Sequence, residues 1–214
     1  MISTKLIPAI SRAGAAGNFL SRLADLSSNA FKSVVDIDLL GSFNVAKLVL
    51  PHLVESVKKS NSSSTAENPS IGGRAIFISA TFHYTGYPLQ THVSAAKAGV
   101  DALSANIAIE YGPHGVTSNV ITPGPIAGTE GMTRLAQGVR AGRKPGWKIP
   151  LGHYGTVKDI ADATVYLFSD AANYVNGEVL VVDGAAWRTA GTGAEGDEEY
   201  PDNVVNDKSP KARL

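Results

Sequence analysis

Lys97 and Asp38 are the residues of this chain whose type and setting point most directly to chemistry. Lys97 stands near the start of a helical pattern, after the apolar run Ile76-Phe77-Ile78 and a turn at Gly86-Tyr87-Pro88. A lysine so placed commonly carries its ammonium out to solvent; turned towards a ligand, it is a donor and a proton-handling group. Asp38 falls among Val34, Val35, Leu39 and Leu40 in another helical pattern. A carboxylate buried there is costly unless paired, which is met by a structural ion pair or cap, or by a group held for proton transfer. Asp36 points about 200° away around a regular helix and reads as structural. His83 and His92 are secondary candidates for an acid, because no orienting carboxylate or third ligand is apparent near either.

These residues need elements to position them. From Ser28 or Asn29, both N-cap types, Phe31, Val34, Val35, Leu39, Phe43, Val45, Leu48, Val49 and Leu53 recur at helical spacing to about Lys58. The stretch 60–73 is polar and turn-rich, a surface loop. Strands are expected at Arg74 to Ser79, Val116 to Ile121 and Glu178 to Val182, and helices at Thr91 to Tyr111 and Val157 to Ser169. Their alternation predicts a parallel α/β sheet with crossovers on both faces. Pro123-Gly124-Pro125-Ile126 follows the carboxyl end of a strand, where ligands bind in such sheets, although a turn alone explains its composition. No strand leads into Gly14-Ala15-Ala16-Gly17, so it does not read as a phosphate loop. Pro8 argues against a well-paired strand in residues 1–12.

A chain of 214 residues, 43% hydrophobic, is long enough for one sizeable core. Nineteen basic residues balance nineteen acidic ones, so no net field favours nucleic acid or an anionic surface. Without cysteine there is no disulfide scaffold or thiolate zinc site, and no apolar run approaches the roughly 20 residues of a membrane helix. Residues 191–214 are Gly- and acid-rich and end in Ala212-Arg213-Leu214, similar to the receptor-read peroxisomal address.

AGAAGNFL from Ala13, FKSVVDIDLLGSFNVAK, ISATFHYTG, HVSAAKAGVDAL, NVITPGPIAGTEGMTRL, VNGEVLVVDGAAW and the terminal Ala-Arg-Leu together resemble the peroxisomal 2,4-dienoyl-CoA reductases, a branch of the short-chain dehydrogenases/reductases. The resemblance runs from residue 13 onward. It implies an α/β fold: the C-terminal part of a Rossmann-like doubly wound parallel sheet, with the first strand-turn-helix units absent and activity in doubt for that reason. The expected organisation is a non-matching segment 1–12, a partial reductase domain 13–190 and a tail 191–214.

The resemblance further implies NADPH as cofactor, an acyl-CoA substrate, a homo-oligomer, a peroxisomal location and an import receptor that reads Ala212, Arg213 and Leu214. Lys97 would hold the nicotinamide ribose and, with Asp38, a water that supplies the proton. Val93 stands where typical members carry the catalytic tyrosine, Ala80 where they carry a serine, and Phe82 where mitochondrial dienoyl reductases carry a tyrosine. Ser79, Pro123, Gly124, Pro125, Ile126, Ala127, Gly128 and Thr129 would line the cofactor. Asn18, Phe19, Ser27, Asn29 and Arg134 fall on the substrate side. Two other readings fit the residues: a short-chain carbonyl or enoyl reductase of another substrate, and a noncatalytic fragment that binds a complete reductase subunit.

Overall fold

The first long apolar pattern folds into a continuous helical rod in three parts: α1 (Ser28–Val35), a π-helical segment (Asp36–Leu40) and α2 (Gly41–Asn61). The structure, a computed structural model, describes residues 7–11, 19–61, 72–135 and 149–189. Ser27 caps α1, its hydroxyl accepting from the Ala30 N–H at 3.2 Å. Periodicity predicted an unbroken α-helix. The structure instead has a wider turn, closed by the Gly41 N–H donating to the Asp36 carbonyl five residues back. One extra residue in a turn rotates everything after it by about 100° relative to a regular helix.

Four strands, β1 (Ile7–Ser11), β2 (Gly73–Ile78), β3 (Val116–Pro123) and β4 (Val179–Val182), form one parallel sheet in that order. α4 (Thr91–Tyr111) connects β2 to β3, and α6 (Val157–Phe168) connects β3 to β4. Shorter helices α3 (Phe82–Thr85), α5 (Glu130–Leu135) and α7 (Ala186–Thr189) sit near the carboxyl ends of the strands. Successive strand residues face opposite sides. Ala75 and Phe77 therefore join Leu50, Leu53, Val57, Val100 and Ile107 in the core under α2 and α4, while Ile76 packs with Ile121 and Leu167 under α6. The fold is α/β, with helices on both faces of the sheet.

One segment differs from the sequence reading. Residues 7–11 do pair, with Pro8 opposite Arg74. β1 is the outer strand among the described residues, and an edge strand tolerates proline because only one side of its backbone is bonded. Arg74, the second residue of β2, is only 1% exposed. Its guanidinium donates to the Leu167 carbonyl at 3.3 Å and to the Asn173 side chain, with the Asp170 carboxylate at 3.7 Å, tying β2 to the end of α6. Among the described residues no helix is long and apolar enough to cross a membrane. Residues 62–71, most of the polar loop, and 191–214, with the terminal tripeptide, lie outside the described residues.

Candidate active site

The π-helical segment carries Asp38 into the interior, where it is 2% exposed. α4 carries Lys97, 7% exposed, to the same place. The Lys97 ammonium lies 3.5 Å from the Asp38 carboxylate and donates to the Ile78 carbonyl, at the end of β2, at 3.1 Å. Asp38 also uses its backbone: its carbonyl accepts from the Ser42 hydroxyl at 2.6 Å. Asp36 faces outward, where its carboxylate accepts from the Lys32 ammonium one turn earlier. Two acidic residues two positions apart in one pattern thus have separate surroundings, one buried beside a cation and one at the surface.

Apolar side chains wall the pair. Val34, Val93 and Ala96 are buried together, with Phe19, Val35 and Phe82 packed against them. Val93 is part of this wall and brings no hydroxyl; Ala80 and Phe82 bring none either, and Phe82 stacks on Tyr87 with centroids 4.7 Å apart. Ser79 is buried, its N–H given to the Ile121 carbonyl at 2.9 Å and its hydroxyl turned to α4, 3.5 Å from the Lys97 carbonyl. Both of its donors are engaged within the fold.

Gly99 makes the meeting of the two helices possible. A Cβ at this position would lie 2.6 Å from Cδ2 and 3.0 Å from Cδ1 of Leu39, the residue after Asp38. Sequence reasoning passed over this glycine, since a glycine within a helix ordinarily signals only a weak spot. Gly99→Val is expected to displace Leu39, moving Asp38 off Lys97 and lowering stability by about 1–3 kcal/mol. An unchanged denaturation midpoint would show that Leu39 yields freely and that the glycine is not needed.

Pro123 to Thr129 leaves the carboxyl end of β3 and is held by backbone bonds. Gly124 N–H donates to the Val182 carbonyl at 2.9 Å, the Ala127 N–H donates to the Gly155 carbonyl at 2.8 Å, and the Gly155 N–H donates to the Pro125 carbonyl at 3.1 Å. Gly124 itself lies against β4: a Cβ there would be 2.4 Å from the Asp183 Cβ and 2.7 Å from its Cα. Its close approach within the structure is therefore to protein backbone. Gly128 has φ +71°, a conformation glycine adopts without strain. The Thr129 hydroxyl donates to the Ile126 carbonyl at 2.9 Å and accepts from the Met132 N–H at 3.3 Å, which opens α5. On the substrate side, Phe19 is half-buried, whereas Ser27 and Asn29 are exposed in the start of α1. Asn18 and the Arg134 side chain lie outside the described residues.

The expectation that His83 lacks an orienting carboxylate is wrong. Its Nε2 lies 2.8 Å from the Asp101 carboxylate, which also accepts from the Tyr84 hydroxyl. Burial works to raise the Asp101 pKa, but the hydrogen bonds of its carboxylate, those from His83 and Tyr84 among them, outweigh it and hold the group below the usual range. Burial and the same carboxylate push the Tyr84 phenol up. Asp101 stands four residues after Lys97, on the same helix face, a spacing that makes it a neighbour of the site.

A parallel sheet with covered faces, and a helix that brings a lysine to the end of its second strand, define a protein of the short-chain dehydrogenase/reductase class. The chain belongs to the family described as enoyl-(acyl carrier protein) reductase, whose model matches residues 5–185. It is 53% identical over 199 residues to the Saccharomyces cerevisiae peroxisomal 2,4-dienoyl-CoA reductase SPS19, covering 93% of this chain and 62% of that protein. The Rattus norvegicus peroxisomal 2,4-dienoyl-CoA reductase is 42% identical over 175 residues, covering 82% of this chain and 55% of the relative. Among solved structures, a Bacillus anthracis short chain dehydrogenase superposes with TM-score 0.64 at 34% identity, covering 84% of this chain and 63% of that one. Levodione reductase superposes with TM-score 0.72 at 27% identity, covering 85% and 66%. The chain thus spans less than two thirds of the length of each of these proteins.

Proposed function

We propose that this chain carries the proton-transfer side of an NADPH-dependent 2,4-dienoyl-CoA reductase that yields 3-enoyl-CoA in the peroxisomal breakdown of unsaturated fatty acids. The observation that carries this reading is the buried Asp38–Lys97 pair, 3.5 Å apart, beside positions 80, 82 and 93, none of which bears a hydroxyl. A site with no hydroxyl at those three positions takes its proton from a group held by the charged pair, and water seated beside the pair can bond to both the carboxylate and the ammonium.

A nicotinamide nucleotide suits the donors present: an ammonium at the carboxyl end of β2 and a Gly/Pro loop at the carboxyl end of β3, in the crevice where open α/β sheets bind ligands. When bound, it supplies the hydride for the distal end of the conjugated diene. Lys97 holds the ribose, and its charge favours the negative charge that develops towards the thioester. Residues 123–129 line the nicotinamide and diphosphate; Ser79, with both donors engaged, offers its carbonyl. Asp38 and Lys97 orient the water that delivers the proton next to the thioester, leaving the double bond at position 3. Phe19 forms an apolar wall for the acyl chain, and Ser27 and Asn29 border it. Leu40, Phe43, Leu48 and Ile109, all exposed, provide an apolar face for a homo-oligomer.

Incubation of the chain with NADPH and a 2,4-dienoyl-CoA is expected to give a 3-enoyl-CoA, identified by the position of its double bond. A 2-enoyl product, or turnover of simple carbonyls in its place, would count against the reading. A fluorescent protein ending in the last dozen residues of this chain is expected to enter peroxisomes and to stay diffuse once Leu214 is deleted.

A further inference from the structure

The turn from β2 to α4 carries apolar side chains that the core does not absorb. Tyr84, Tyr87 and Leu89 are 39%, 51% and 38% exposed. Phe82, half-buried, stacks on Tyr87 and also packs against Val34, Val93 and Ala96, the wall beside Asp38 and Lys97. Phe19 packs against the same wall. Two bonds join its segment to the far end of the turn: the buried Gln90 side chain donates to the Phe19 carbonyl at 3.4 Å, and the Ser21 N–H donates to the Leu89 carbonyl at 3.1 Å. The turn and the Phe19 segment thus form one apolar lip, continuous with the wall of the site.

Two further bonds hang this lip on α4. His83 Nε2 lies 2.8 Å from Oδ2 of Asp101, and the Tyr84 hydroxyl donates to the same oxygen. An ionised carboxylate only accepts, so Nε2 carries the proton. The His83 and Asp101 side chains are 12% and 13% exposed, which makes this a charge-assisted bond shielded from most of the solvent rather than a surface ion pair of little worth. Successive residues of a helix point about 100° apart, so fixing His83 and Tyr84 also fixes the direction of Phe82 before them. Leu89 has φ +66°, which a leucine keeps only where its surroundings hold it.

We propose that this turn sets the acyl length the site accepts: Phe82, Tyr87 and Leu89, with Phe19, take the part of the acyl chain beyond the conjugated diene, and His83 is the positioning residue that holds them there through Asp101. The proposal deepens the reductase reading and rests on it for the substrate. The occupant follows from continuity. Phe82 and Phe19 share the wall around the Asp38–Lys97 pair, where the thioester end reacts, and an alkyl chain running on from that wall meets the lip with nothing polar to satisfy. Each further methylene buried strengthens binding roughly fourfold, so the placing of the lip is read in the KM for long substrates rather than in the chemical step.

Kinetics with NADPH and two substrates, a six-carbon and a ten-carbon 2,4-dienoyl-CoA, test the role. His83→Phe keeps the size of the ring but loses the N–H. It is expected to raise the KM for the ten-carbon thioester about tenfold, to change that for the six-carbon one, which ends close to the diene, by less than about twofold, and to affect kcat far less than KM. His83→Gln, which restores an N–H, is expected to recover most of the loss. Equal effects on the two substrates, or none, would overturn the proposal, and so would a fall in kcat at unchanged KM. Amide hydrogen exchange of the free chain tests the attachment without any substrate. The Tyr84 and Gln90 N–H groups, bonded to the Thr81 and Tyr87 carbonyls at 3.1 and 3.3 Å, are expected to exchange about tenfold faster in His83→Phe, with Val120 in β3 unchanged. Unchanged rates at Tyr84 and Gln90, or an equal rise at Val120, would overturn the role of His83. If the unmodified chain reduces no dienoyl-CoA, the reductase reading fails and the acyl assignment with it, while the exchange comparison still decides whether His83 holds the turn.

Discussion

Asp38→Ala is expected to lower kcat for reduction of a 2,4-dienoyl-CoA by roughly 100-fold or more while leaving the Kd for NADPH nearly unchanged, the usual scale for losing a general-acid function. Asp38 is 2% exposed and sits on the only π-helical segment among the described residues. Such segments persist where a side chain must be aimed, because the irregular turn weakens the helix locally. Asp38→Ala removes the carboxylate and leaves the ammonium, so a fall in kcat without a change in cofactor affinity isolates the proton step. Restoring a tyrosine at Val93 should not rescue the variant. Val93 is buried against Val34 and Ala96, and a phenol there would have to displace that wall. Near-normal turnover of Asp38→Ala would place the proton donor elsewhere, with His83 and its Asp101 partner next in line.

Lys97→Ala is expected to damage both steps, lowering kcat by roughly 100-fold and weakening NADPH binding about tenfold or more, or some 1.4 kcal/mol. It should also destabilise the fold. Removing the ammonium takes a cation from beside a buried carboxylate, and breaking such a pair costs about 3–5 kcal/mol. Most of that cost is the stranded charge. The double variant Lys97→Ala with Asp38→Asn is therefore expected to regain much of the lost stability while remaining inactive, a non-additivity that a double-mutant cycle measures. Additive stabilities would show that the two groups, 3.5 Å apart, do not act on each other.

The amino-acid sequence by itself determined the main elements, because their physics is local. Alternating apolar and turn-rich stretches placed β2, β3 and β4 within a residue or two, and helical spacing placed α4 over Thr91–Tyr111. Asp38 and Lys97 stood out for the same reason: a charge within an apolar pattern is a local anomaly. What the sequence did not determine depends on groups brought together from afar. The π turn at Asp36–Leu40 has no compositional mark, since it arises from fitting Asp38 and Leu39 against α4, where Gly99 leaves room for Leu39. Pro8 could be read as excluding a strand until the sheet made β1 an edge, with one side of its backbone free of pairing. Asp101 lay one helical turn from Lys97 in plain view, but its partner His83 is eighteen residues away and reaches it only through the turn after β2. The stacking of His92 on Phe19, seventy-three residues apart in the chain, is likewise decided only by packing, which burial of apolar surface drives without regard to separation along the sequence.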